Sequence, residues 1–189
     1  MTSILKADTI QDTDDNNIIN ENSNTITIGA SGDTTNIIGT LQNNGAAVGG
    51  TMKPAFQAYV SSNFTVSHNS NTKIPMNTEV YDTDNAYDNS SNYRFTPQTA
   101  GKYVFYAQMT SADTQTANEF EISIRKNGST VLGGRTTLEN FCSINTIGVV
   151  DMNGSSDYVE AYAYQNAGGN AILTGNTSRT YFGGYKLIT

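Results

Sequence analysis

Residues 119–126 read EFEISIRK, and they alternate strictly. Phe120, Ile122 and Ile124 fall on one side, while Glu119, Glu121, Ser123 and Arg125 fall on the other. A period of two belongs to a strand with one buried and one wet face, and no helix tolerates it. The segment runs into Asn127-Gly128, the strongest short hairpin signal, and the chain returns through TVLGG. Other candidate strands follow the same scheme, with turn signals between them. They are AFQAYV (55–60), NTEVYD (77–82), NYRF (92–95), GKYVFYAQMT (101–110), INTIGVVDM (144–152), DYVEAYAYQ (157–165) and TYFGGYKLI (180–188). A second Asn-Gly turn, Asn153-Gly154, lies between the fifth and sixth of these. No segment carries a convincing helical period. Eight or more short strands with regular turns predict an all-β fold over 51–189, most simply a two-sheet jelly-roll sandwich. Phe56, Phe95, Tyr103, Phe105 and Phe120 are the expected core between the sheets.

Residues 1–50 are built differently. They hold six acids and one lysine, no proline and no aromatic residue. Without aromatics such a stretch can hardly form a core alone. Isoleucines nevertheless recur at short intervals among Asn, Asp, Gly, Ser and Thr, as in TITIGASGDTTNIIGTLQNNG. Two readings follow. One is a disordered tail of low hydrophobicity. The other, which we prefer, is an extended β-rich stalk whose thin apolar stripe is buried by association of several chains. Gly45, Gly49 and Gly50 then mark a joint before the second part.

Composition narrows the function. The net charge is −7 and charged residues make up only 14% of the chain. An acidic surface repels phosphate backbones and anionic lipid, which argues against nucleic-acid partners. No run approaches the ~20 apolar residues of a membrane span, so no membrane insertion is expected. The N-terminus does not read as a secretory signal, so synthesis in a cytoplasm is expected. Cys142 is the lone cysteine and His68 the lone histidine, which leaves no zinc spacing and no disulfide framework. The loop YDTDNAYDNSSN (81–92) gathers Asp82, Asp84 and Asp88, but Ala86 occupies a position where an EF-hand needs a ligand. Aspartate and asparagine are also ordinary turn residues. The expectation is therefore no catalytic residue, no metal and no cofactor.

Residues 54–189 resemble the globular head of complement component 1q, within the wider tumour-necrosis-factor-like jelly rolls. The pattern is carried by Met76, Asp82, Tyr87, Phe95, Gly101, Tyr103 and Phe105, with the 157–159 strand start and the closing TYFGGYKL. Met76 replaces an aromatic, one extra residue separates Tyr87 from Phe95, and Ala107 stands where a last aromatic is usual. The resemblance implies about ten strands, a homotrimer and a binding role. A trimer also accounts for the surplus of tyrosine, with Tyr162, Tyr164, Tyr181 and Tyr185 as interface candidates. The first part resembles the N-terminal segments of bacteriophage fibre proteins. Together these imply a virion protein made in the host cytoplasm, docked on capsid or tail proteins through residues 1–50. Its outward head would attach to the host surface, with a glycan as the expected receptor. The alternatives are a capsid decoration protein and a cell-surface binding module. Ligand candidates lie in two amide-rich loops: Asp113, Gln115 and Asn118 in 111–118, and Gln165, Asn166 and Asn170 at 165–171.

Overall fold

The computed structural model describes residues 9–11, 17–22, 25–28, 31–38, 41–43 and 46–47 of the first part. Of the second part it describes 52–187, apart from 113–115 and 139. The chain divides into two compact units, Met1–Gly50 and Thr51–Thr189.

In the first unit β1 (Thr9–Gln11), β2 (Asn17–Asn22) and β3 (Thr25–Ile28) form an antiparallel sheet in that order. β4 (Gln42–Asn43) and β5 (Ala46–Ala47) form a small hairpin. The described apolar side chains here find little cover. Ile38 is 96% exposed, and Ile28, Ile37 and Leu41 are also exposed.

The second unit is a sandwich of two antiparallel sheets. One, the Tyr162 sheet, runs in the order β10 (Tyr87–Asp88), β11 (Arg94–Phe95), β16 (Val159–Gln165), β13 (Ala117–Lys126), β14 (Ser129–Leu138). The short β8 (Thr72–Lys73) also pairs with β16. The other, the Tyr181 sheet, runs β15 (Ser143–Met152), β12 (Gly101–Thr110), β18 (Tyr181–Lys186), β6 (Ala55–Tyr59), β9 (Thr78–Asp82). A two-stranded pair, β7 (Phe64–Val66) with β17 (Ala171–Leu173), caps one end, and Ser111 bridges to Leu173. The alternation in the sequence sets the packing. Phe120, Ile122 and Ile124 of β13 and Tyr103, Phe105, Ala107 and Met109 of β12 all turn inward.

Phe56, Phe95, Tyr103, Phe105 and Phe120 are fully buried, together with Phe182. Phe56 lies at the centre. It stacks on Phe95 at 4.3 Å and on Tyr87 at 4.9 Å, and meets Phe182 edge-on at 5.0 Å. Both buried phenols are satisfied: Tyr87 donates to the Met76 carbonyl (3.1 Å) and Tyr103 to the Thr99 carbonyl (2.7 Å). A polar handle that reaches a carbonyl lets a large ring sit inside at little cost. Gly184 permits one close contact, since a Cβ there would stand 2.3 Å from the Phe105 ring.

The strands divide the sandwich into two ends. The near end holds the start of β6, the Asn127-Gly128 and Asn153-Gly154 turns and the start of β12. The far end holds the finish of β12, β14 and β16 and the starts of β13, β15 and β18. Residues 111–112, 116–118 and 165–171 are therefore at the opposite end of the sandwich from Ala55. Four elements, β7, β8, β10 and β17, fall where the sequence suggested loops. Each is two or three residues long, too short to show a period.

Candidate functional site

Each sheet has one face turned away from the core, and the two faces differ in chemistry. On the Tyr181 sheet, cross-strand register lines up three rows. One is Ile147, Tyr106, Gly183, Gln57, Tyr81; the second is Val149, Val104, Tyr185, Ala55; the third is Asn145, Gln108, Tyr181, Tyr59. None of these rows holds a charged residue. Ile147 and Val149 are 67% and 54% exposed. Tyr106 lies over Gly183: a Cβ at 183 would come 2.5 Å from the Tyr106 hydroxyl. That hydroxyl reaches the Gln57 amide oxygen (3.4 Å), and the ring meets Tyr181 edge-on at 6.2 Å. Burial, and after it the neighbouring Tyr81 hydroxyl, raises the Tyr106 phenol above its ordinary value, so it stays neutral. Tyr181 in turn donates to the Gln108 amide oxygen (3.2 Å).

The outward face of the Tyr162 sheet is charged and interlocked. Lys73 pairs with Glu160, which is almost fully buried. The Arg125 guanidinium stacks 4.2 Å over the Tyr162 ring, and Arg94 stacks 4.5 Å over Tyr158. Arg135 bridges Glu119 (2.8 Å) and Glu121 (3.1 Å). Asn71, Glu119, Glu121, Arg125, Arg135 and Tyr164 line a shallow depression of about 310 Å³.

The four tyrosines expected at one interface are therefore divided. Tyr162 and Tyr164 stand on β16 and Tyr181 and Tyr185 on β18, on opposite outer faces of the sandwich. A single patch containing all four does not exist in one protomer. The apolar face has Tyr181 and Tyr185, joined by Tyr59, Tyr81 and Tyr106, which sequence reasoning did not single out. Tyr162 and Tyr164 belong to the charged face.

The far-end loops also differ from expectation. Gln165 is fully buried: its amide nitrogen donates to the Val66 and Gly169 carbonyls (both 3.0 Å), and its oxygen accepts from the Ala167 N–H (2.6 Å). Every polar atom of that side chain serves the loop, so none is left for a ligand. Asn166 exchanges hydrogen bonds with Glu119, accepting from its N–H through Oδ1 at 2.9 Å. Asn118 and Asn170 are exposed, and Asp113 and Gln115 lie outside the described residues. His68 is half-buried and accepts from the Gly168 N–H (3.1 Å), a structural contact.

Two of the three 81–92 carboxylates, Asp82 and Asp88, are spent on the backbone, and Asp84 accepts from the Thr83 hydroxyl (2.7 Å). Asp82 accepts from the Tyr87 N–H (2.8 Å) and the Asp84 N–H (3.3 Å). Asp88 accepts from the N–H groups of Ser90, Ser91 and Asn92 and from the Asn92 amide. The Ser91 and Ser90 N–H groups, then the Asn92 amide, hold its carboxyl far below the usual range. Among the described residues, no three His, Cys, Asp or Glu side chains converge as a metal site.

No family model matches the chain, and no curated protein matches it significantly. Solved structures do. Murine APRIL at pH 5.0 is similar at 14% identity and a TM-score of 0.54, over 70% of this chain and 98% of that one. The same protein at pH 8.5 gives 16% identity and a TM-score of 0.51, over 70% and 99%. The second unit thus has the jelly-roll fold of the tumour-necrosis-factor and complement-1q-like proteins.

Proposed function

We propose that this protein is a bacteriophage virion component, a short homotrimeric fibre whose head attaches the particle to its host surface. The observation that carries the reading is the apolar, tyrosine-rich stretch of the Tyr181 sheet's outer face, whose charge among these strands is confined to the exposed Lys102–Asp151 pair at the near end. Monomers seldom leave so broad an apolar, tyrosine-rich surface in water, and such surfaces are what subunit interfaces are made from. Ile147 and Val149 would seat against the tyrosines of a neighbouring copy. Ile28, Ile37, Ile38 and Leu41 support the same reading in the first unit, because association would bury side chains that one chain leaves exposed. Docking to capsid or tail proteins falls to residues 1–50. The head would face outward from the particle.

Two experiments test this. Light scattering on the full chain should give three times the chain mass. Ile147→Asp with Val149→Asp should reduce it to one, since burying two carboxylates at an apolar interface is strongly unfavourable. A wild-type monomer refutes the trimer. Gold-labelled antibody against 51–189 should mark the tail or fibre tips of purified particles. Gold spread over the shell would favour a decoration protein, and no label would remove the virion assignment.

A further inference from the structure

We infer that the depression on the outward face of the Tyr162 sheet is a subsite for one neutral sugar ring. This rests on the attachment reading above and assigns its ligand-binding residues, moving them from the far-end loops to the sheet. At about 310 Å³ the space is at the small end of ligand sites, which run from about 300 to 1,000 Å³. Its charges cancel: Glu119 and Glu121 stand against Arg125 and Arg135. A balanced cluster offers no net attraction to an anion or a cation. It does offer carboxylate acceptors and guanidinium donors side by side. A sugar hydroxyl both donates and accepts, so neighbouring hydroxyls can use both kinds of group at once.

The groups are held in place before any ligand arrives. Arg135, itself 64% exposed, is oriented by two carboxylates whose side chains are 25% and 23% exposed. Arg125 is fixed between the Tyr162 ring and the Asn71 side chain. Tyr164, opposite Glu121 in the register, supplies an aromatic rim, and its hydroxyl donates to Asn69 (3.2 Å). Preorganised polar groups beside an aromatic plane lower the ordering cost of binding a small, strongly hydrated ligand.

The test is saturation-transfer NMR on the full-length protein, with methyl glycosides of galactose, glucose and N-acetylglucosamine as probes and N-acetylneuraminic acid as the anionic comparison. Transfer to at least one neutral glycoside is expected at millimolar concentration. The pair Glu121→Ala with Arg135→Ala keeps the net charge and should weaken binding at least tenfold. Tyr164→Ala should do the same, while Asn118→Ala with Asn170→Ala should leave it unchanged. Thermal melts verify that each variant is folded. Loss in the Asn118/Asn170 variant with binding intact in the Glu121/Arg135 variant overturns the subsite, as does preference for the anionic sugar. If no glycoside receives transfer, the subsite is likewise overturned. Adsorption then separates the two claims: full-length protein that still blocks particle adsorption to cells leaves attachment standing, and protein that does not removes both.

Discussion

Replacing Phe56 by alanine measures how much of the head depends on one aromatic stack. The side chain is fully buried and touches rings from both sheets: Phe182 beside it, and Phe95 and Tyr87 across the gap. Deleting a buried phenyl costs about 3–5 kcal/mol in lost transfer energy and residual cavity. Aromatic pairs add about 0.5–1.5 kcal/mol each beyond area burial, and three are lost here. These contributions overlap, so the expected cost is near the top of the range, about 5 kcal/mol. Since domains are stable by about 5–15 kcal/mol, this is at least about a third of the total. Urea titration at fixed protein concentration reads the difference from the midpoints, provided the slope is unchanged. Fixed concentration matters because association would add to apparent stability. Phe56→Leu refills much of the space and should recover at least half the loss. A cost below about 2 kcal/mol for the alanine variant would mean that the stack is not the packing centre.

Other outcomes follow from the near end. Asp157 is held below the ordinary carboxylate range by Lys126 first, then the Asn127 amide and the Asn153 N–H. A depressed folded-state value means stability that is fully present above the ordinary range and lost as pH falls toward the depressed one. Melting temperature should therefore drop steeply below about pH 4, and Asp157→Asn should flatten that drop while lowering the plateau at neutral pH. An unchanged acid limb would rule out this group as a contributor. Gly154 has φ +69°, and a Cβ there would stand 2.1 Å from the Ala100 nitrogen. Gly154→Ala should cost more than about 2 kcal/mol by denaturant titration, because backbone must shift to admit it.

The long strands were legible because each has one dry and one wet side. β12, β13, β15, β16 and β18 are six to ten residues long, enough for a period of two to show. What the period cannot show is which sheet a strand joins. Tyr162 and Tyr181 look equivalent in sequence, each an outward aromatic on a strand. Topology puts one beside Arg125 and the other beside Tyr106, and only the long-range pairings decide that. Gln165 misled for a related reason. An amide at a strand end looks like a ligand residue until the chain turns back and offers it carbonyls. The sugar subsite was half visible, since Glu121 and Arg125 share the wet side of β13. Arg135 and Tyr164 arrive from the neighbouring strands, and Asn71 from the chain just before β8.

The last head strand in the sequence, β18, lies in the middle of its sheet, between β12 and β6. Its partners were made long before it: residue 185 pairs with 104 on one side and 55 on the other. During translation β6 and β12 must therefore wait, each with an open hydrogen-bonding edge, until the final strand leaves the ribosome. No partial sheet of this kind can close from the N-terminus onward. Closure of this sheet should wait for β18, be slow for the size of the head, and be sensitive to crowding by other nascent copies, whose own β6 and β12 present the same open edges.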